Sequence, residues 1–64
     1  MKRLMVTYEL RGELIRAMLN LPSKEEIIPT LLQYHMEFDD SAIRIKKIRE
    51  FQEQQKVMHV WYCN

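Results

Sequence analysis

The chain opens with Lys2-Arg3-Leu4-Met5-Val6-Thr7-Tyr8-Glu9-Leu10, a segment in which two sets of residues alternate. Leu4, Val6, Tyr8 and Leu10 fall on one face of an extended chain, and the more polar residues between them fall on the other. This period of two predicts a strand with one buried face and one solvated face. β-branched and aromatic residues support that prediction. Gly12 is the only glycine in the chain, and it permits a sharp change of direction after the strand.

A second strand-like segment closes the chain, with the sequence Lys56-Val57-Met58-His59-Val60-Trp61-Tyr62-Cys63-Asn64. Alternation places Met58, Val60 and Tyr62 on one face, and Val57, His59, Trp61 and Cys63 on the other. Neither set is polar. A protein of 64 residues has little material with which to cover two apolar faces of one strand. We therefore expect this segment to contact another chain, either a second copy or a target.

The residues between these two segments predict three helices. The first spans residues 13–20, and the second spans 24–36, after Ser23-Lys24-Glu25-Glu26, which has the form of a capping box. Pro29 either kinks the second helix or marks its start, and the continuous apolar pattern favours a kink. The third helix spans residues 41–55, which contain no glycine or proline. Half of the helix circumference carries Ala42, Ile45, Ile48 and Phe51, whereas Ile43 lies outside that arc.

This order predicts a single α+β domain over residues 1–64 with the topology β-α-α-α-β. The terminal strands would share one small antiparallel or mixed sheet, with the helices packed on one face. Because a two-stranded sheet is marginal in water, we expect dimerisation to extend it in a homodimer. A lone cysteine, Cys63, excludes an internal disulfide and favours the reducing cytoplasm. The longest apolar run covers residues 60–63, far short of the roughly 20 residues that cross a membrane.

The sequence carries no motif for metal binding or catalysis. His59 and Cys63 would lie about 13 Å apart along a strand, too far to share one ion. His35 and Asp39 have helical spacing, but the paired cysteines or histidines of zinc sites are absent. The serines are accounted for as helix caps, and one glycine cannot build a phosphate-binding loop. We therefore expect no enzymatic activity, no cofactor and no metal.

The aromatic C-terminal strand carries the functional expectation. Tryptophan, tyrosine and methionine are enriched at protein interfaces, so the predicted partner-binding or dimer interface comprises Met58, Val60, Trp61 and Tyr62. For any one of these residues, the hydrophobic core is an equally good location. We expect a small protein-binding regulator, an inhibitor or adaptor of the kind that bacteria and phages encode. The sequence leaves the identity of its protein partner open.

The alternative is a dimeric DNA-binding transcriptional regulator that contacts nucleic acid through Arg44 and Lys47. These residues belong to a basic cluster with Lys46 and Arg49. A helix would spread that cluster around its axis rather than along one stripe. A net charge of +1 also gives no general electrostatic attraction to nucleic acid. Protein binding is therefore the preferred expectation.

Overall fold

A computed structural model of the protein describes residues 1–51 and 57–62, without the side chains of residues 57 and 58. Four strands form one antiparallel sheet in the order β2-β1-β3-β4, and one helix packs on it. The elements are β1 (Lys2–Leu10), β2 (Glu13–Leu21), a 3-10 turn (Lys24–Glu26), α1 (Ile27–His35), a second 3-10 turn (Asp40–Ala42), β3 (Ile43–Phe51) and β4 (Val57–Tyr62). The α+β class is confirmed, and both terminal segments are strands of the same sheet. The β-α-α-α-β topology is wrong, because two of its helices are strands.

The predicted helix over residues 13–20 is strand β2, which forms a hairpin with β1. Arg11 and Gly12 both have positive φ, at 51° and 85°, and they make the two-residue turn that this geometry favours. Ile15, Ala17 and Leu19 alternate onto the face that α1 covers, and they are half-buried. Leu14 and Met18 point the other way and are exposed. The segment resembles a helix in sequence because apolar residues occur on both faces of the strand.

The predicted helix over residues 41–55 is wrong across its described part, where residues 43–51 form β3. The register with β1 shifts once, because Thr7 pairs with Lys47 whereas Tyr8 pairs with Ile45. Lys46 is therefore an extra residue in a β-bulge, and the alternation of β3 changes phase there. Ile45 and Ile48 consequently point to the same face although they are three residues apart. That spacing is the one expected of a helix, which accounts for the error.

Helix α1 begins later than the sequence pattern predicts. Ser23 makes no side-chain capping bond, so the predicted capping box is wrong, and the N–H of Glu26 donates to the Ser23 carbonyl at 3.2 Å instead. Of the two alternatives for Pro29, the favoured kink is wrong, and the other, in which the first turn is separate and the main helix starts near Pro29, is confirmed. A separate 3-10 turn precedes α1, and Pro29 occupies the first turn of the helix, where a backbone N–H has no partner within the helix.

The core lies between the sheet and α1. Its buried side chains are Leu4, Val6 and Tyr8 of β1, Ile27 and Leu31 of α1, and Ile43 and Ile48 of β3. Trp61 of β4 packs against this cluster from the edge. Trp61 therefore finds partial cover within its own chain, whereas His59, on the same face of the strand, is exposed.

Met36 ends α1 in a left-handed conformation with φ of 57°, which costs a residue with a Cβ atom more than it costs glycine. The N–H groups of Met36 and Glu37 bond back to the carbonyls of Gln33 and Leu32 at 3.2 and 2.8 Å, as in a Schellman motif. We expect Met36→Gly to raise the free energy of unfolding by about 0.5–1 kcal/mol in urea titrations. Met36→Ala keeps the Cβ atom and should bring no such gain. A loss of stability in Met36→Gly would contradict this account.

A forked ion pair ties the β1–β2 turn to the loop after α1. Nε and Nη2 of Arg11 donate to the two carboxylate oxygens of Glu37 at 2.7 and 2.9 Å, which lowers the pKa of Glu37. A carboxylate whose pKa is lowered on folding stabilises the fold above its unfolded pKa, and this stabilisation is lost as the pH falls. We expect the melting temperature to fall between about pH 5 and pH 3, and to fall less in Glu37→Gln. Arg11→Gln should behave like Glu37→Gln, and an undiminished fall in both variants would refute the prediction.

Candidate functional site

The sheet has one face that α1 covers and one face on which no described element packs. Alternation along the paired strands fixes which side chains stand on that second face, here called the open face. They are Arg3, Met5, Thr7 and Glu9 of β1; Leu14, Arg16, Met18 and Asn20 of β2; Arg44, Lys47, Arg49 and Phe51 of β3; and Val60 and Tyr62 of β4.

Positive charge is concentrated on the open face. Its cationic side chains are Arg3, Arg16, Arg44, Lys47 and Arg49. Glu9 is the only acidic side chain among the outward residues of the described strands, and its Oε1 lies 4.0 Å from Nη1 of Arg44. The layer formed by α1 and its flanking segments has a net negative charge, with one lysine, Lys24, against the carboxylates of Glu25, Glu26, Glu37, Asp39 and Asp40. The net charge of +1 thus conceals a separation of charge across the sheet.

The bulge at Lys46 is what aligns the cations of β3. In a regular strand, Arg44 and Lys47 would point to opposite faces because they are three residues apart. The extra residue changes the phase, so that Arg44 pairs with Glu9, Lys47 with Thr7 and Arg49 with Met5, all on the open face. The basic cluster, which a helix would scatter around its axis, therefore lies along one strand.

Aromatic rings accompany these cations. Tyr62 is 72% exposed, and Nζ of Lys47, its cross-strand neighbour, lies 5.1 Å from the ring centroid. The guanidinium carbon of Arg49 lies 5.6 Å from the ring centroid of Phe51. Both distances are within the range of cation–π attraction. Each ring therefore has a positive group beside it.

Exposed aliphatic side chains complete the open face. Leu14 is 65% exposed, Met18 46% and Val60 40%. Met5 lies between Met18 and Arg49 in the same cross-strand row, and Val60 follows Arg49 on the other side. The surface thus mixes apolar contact area with positive charge.

The sequence-predicted site residues divide between the two faces. Val60 and Tyr62 stand on the open face together with Arg44 and Lys47, so the structure brings residues of both functional hypotheses onto one surface. Trp61 points to the covered face and is half-buried, with Nζ of Lys24 4.1 Å from its ring centroid. Met58 belongs to β4, but its side chain is outside the described part, and so is Cys63.

Three cations of the open face were not among the predicted contact residues: Arg3, Arg16 and Arg49, of which Arg49 was named only as a member of the basic cluster. Arg16 and Arg49 were assigned to helices, where their neighbours across the sheet could not be recognised. The signal that favours strands was short but present, because Ile43-Arg44-Ile45-Lys46 and Ile15-Arg16-Ala17 alternate apolar and basic residues.

A cleft of about 460 Å³ lies between β2 and α1 on the covered side. Its polar groups include the buried Tyr8 hydroxyl, which is hydrogen-bonded to Nε2 of His35. Burial raises the pKa of Tyr8, and the neighbouring Tyr34 raises it further. The edge of the His35 ring also meets Tyr34, with the ring centroids 5.0 Å apart. The Tyr8 hydroxyl and the His35 ring thus bond to each other. Besides these residues and Tyr34, the charged or hydroxyl-bearing residues that line the cleft are Glu13, Arg16 and Thr30.

The described residues contain no group of three or more histidine, cysteine, aspartate or glutamate side chains placed to hold a metal ion. His35, one of the two histidines of the metal hypothesis, is bonded to Tyr8. Among the elements described, no helix is long and apolar enough to cross a membrane.

The chain matches no protein-family model, no curated protein sequence and no solved structure.

Proposed function

We propose that this protein binds nucleic acid through the open face. The observation that carries this proposal is the separation of charge across the sheet, with five cationic side chains and one carboxylate on the open face. A protein binds nucleic acid largely by neutralising phosphates and releasing their counterions. What matters is the local density of lysine and arginine, and the net charge of the whole chain does not report it.

The opposite layer strengthens the same proposal. Its exposed carboxylates, such as Glu25, Glu26 and Asp40, repel a polyanion from the helical side. A nucleic acid that approaches the protein would therefore be oriented towards the open face. Once there, it would find Arg44, Lys47 and Arg49 in line along β3, and Arg3 and Arg16 on the two neighbouring strands.

The direct test is a binding titration with labelled RNA and DNA oligonucleotides across a salt series. If three to five cations each neutralise a phosphate, the logarithm of affinity should fall against the logarithm of salt with a slope of roughly −2 to −4. Lys47→Glu should weaken binding about tenfold or more at low salt. Lys2→Glu changes the net charge by the same amount on the covered-face register of β1 and should have a much smaller effect. Absence of binding to every oligonucleotide at low salt would refute the proposal.

A protein partner is the second candidate, favoured by the exposed apolar side chains of the same face. Leu14, Met18, Val60 and Tyr62 together resemble the mixed apolar and polar surface of a protein interface. In this function the chain would be a regulator of the inhibitor or adaptor type, whose partner carries an acidic rim around an apolar patch. Such a complex would persist at salt concentrations that dissociate a nucleic acid.

A homodimer is compatible with either function. Strand β2 lies at the edge of the described sheet, spans nine residues and contains no proline, and such an edge is a template for further pairing. A two-fold axis beside Ala17 would place Ile15 opposite the Leu19 of a second copy, in an antiparallel pair of β2 strands. Sedimentation over a concentration series under reducing conditions tests this arrangement. A strict monomer at high micromolar concentration would contradict it.

A further inference from the structure

We infer that the open face selects single-stranded over double-stranded nucleic acid, with bases stacked on Tyr62 and Phe51. This inference rests on the proposed function and names the class of ligand that the same surface takes. It depends on the position of the cations on the face of a sheet, on the two rings that accompany them, and on the aliphatic side chains between them.

The shape of the basic surface is unsuited to a duplex. Sequence in a duplex is contacted by an element that enters a groove, either a helix or a two-stranded ribbon. In the described part of the chain, α1 lies on the opposite side of the sheet among the acidic residues. Arg11 stands at the tip of the β1–β2 ribbon, but Glu37 holds its guanidinium in an ion pair. The cations that remain for binding stand on the face of a four-stranded sheet, which is wider than the two-stranded ribbon that a major groove admits but can support an unpaired strand.

The two rings supply surfaces on which unpaired bases can stack. Tyr62 stands at one edge of the sheet in the cross-strand row of Lys47, and Phe51 lies opposite Arg3 at one end of β3. Because Lys47 and Arg49 lie beside these rings, a base stacked on either ring would have its phosphate near a cation. Stacking on aromatic side chains is available only to bases that are out of a duplex.

The aliphatic side chains of the open face favour binding that depends little on the nucleotide sequence. Met5, Met18 and Val60 share one cross-strand row with Arg49. Aliphatic side chains contact any base face, because they make no directional hydrogen bonds to base edges. We therefore expect weak sequence preference among single strands of equal length.

The experiment compares three labelled probes of one mixed sequence, about 12 nucleotides long: a single-stranded RNA, a single-stranded DNA and the DNA duplex. Fluorescence anisotropy at low salt should show at least one single strand binding about tenfold or more tighter than the duplex. The single strand that binds more tightly shows whether the ligand is RNA or DNA. If the duplex binds as tightly as both single strands, this inference is overturned while nucleic-acid binding stands. If no probe binds, the proposed function fails as well.

Variants of Tyr62 test the stacking contact. Tyr62→Leu keeps apolar volume but removes the ring, and it should weaken single-strand binding about tenfold, while Tyr62→Phe should bind like the wild type. Tyr34→Leu is the matched control, because Tyr34 is 78% exposed but belongs to α1 on the other side of the sheet. Circular dichroism and the melting temperature of each variant show whether its fold is intact. Wild-type affinity of a folded Tyr62→Leu would exclude the stacking role.

Discussion

Replacement of Lys47 and Arg49 by glutamate is expected to weaken nucleic-acid binding about a hundredfold near physiological salt. These two residues lie at the centre of the open face, and each has an aromatic ring beside it. A unit charge pair at contact distance is worth about 1 kcal/mol in water, and reversal converts that attraction into repulsion. Two reversals thus amount to about 4 kcal/mol before screening, and to about 2–3 kcal/mol in salt. Anisotropy titrations with the labelled single strands measure the loss.

A variant in which the net charge is restored tests whether binding depends on the position of the charges or on the net charge of the chain. Addition of Glu25→Lys and Glu26→Lys to the double variant returns the net charge to +1, but places the new cations in the turn before α1. Binding should remain weak, because phosphates on the open face cannot reach that layer. Recovery of affinity to near the wild-type value would show that total charge, and not the open face, governs binding.

Leu31→Ala is expected to remove most of the stability of the fold. Leu31 is 1% exposed and is one of two fully buried side chains through which α1 packs against the sheet. Truncation of a buried leucine costs about 2–5 kcal/mol. A domain of this size has a total stability of roughly 3–10 kcal/mol. The variant should therefore be largely unfolded or melt far below the wild type, as monitored by circular dichroism and by the fluorescence of Trp61, the only tryptophan.

Leu14→Ala provides the matched control for this substitution. The same side chain is truncated, but Leu14 is 65% exposed on the open face. Its loss should change the free energy of unfolding by less than about 0.5 kcal/mol. Equal destabilisation by the two substitutions would show that α1 does not bury Leu31 against the sheet.

The sequence predicted the first and last strands of the chain, β1 and β4. Alternation in Lys2–Leu10 predicted β1 with the observed bounds, and the C-terminal segment forms β4 over Val57–Tyr62. Strand β2 was mistaken for a helix because exposed Leu14 and Met18 complete an apolar pattern that is otherwise alternating. The spacing of residues within the segment could not show that Leu14 and Met18 lie on the open face, where exposed apolar side chains are tolerated. The pairing partners that decide between helix and strand lie elsewhere in the chain.

For the same reason, the sequence predicted only some residues of the candidate site and assigned them to two different hypotheses. Arg44 and Lys47 entered the DNA-binding hypothesis, whereas Val60 and Tyr62 entered the protein-binding hypothesis, and the pairing of β3 with β4 places all four on one surface. Arg49 lies on the same surface because residues 43–51 form a strand with a bulge. A sequence pattern specifies which residues share a face only after the element type and its phase are known.

The bulge in β3 gives that strand one residue, Lys46, that is not paired with a residue of β1. Removal of one of the two adjacent lysines at positions 46 and 47 would leave Arg44, Ile45, the remaining lysine, Ile48 and Arg49 in regular alternation, each facing as it does now. Loss of Ile48, by contrast, would turn over the part of the strand that follows it and carry Arg49 towards the core. The Lys46–Lys47 step is thus the place where β3 can shorten by one residue and keep both its core and its cationic surface.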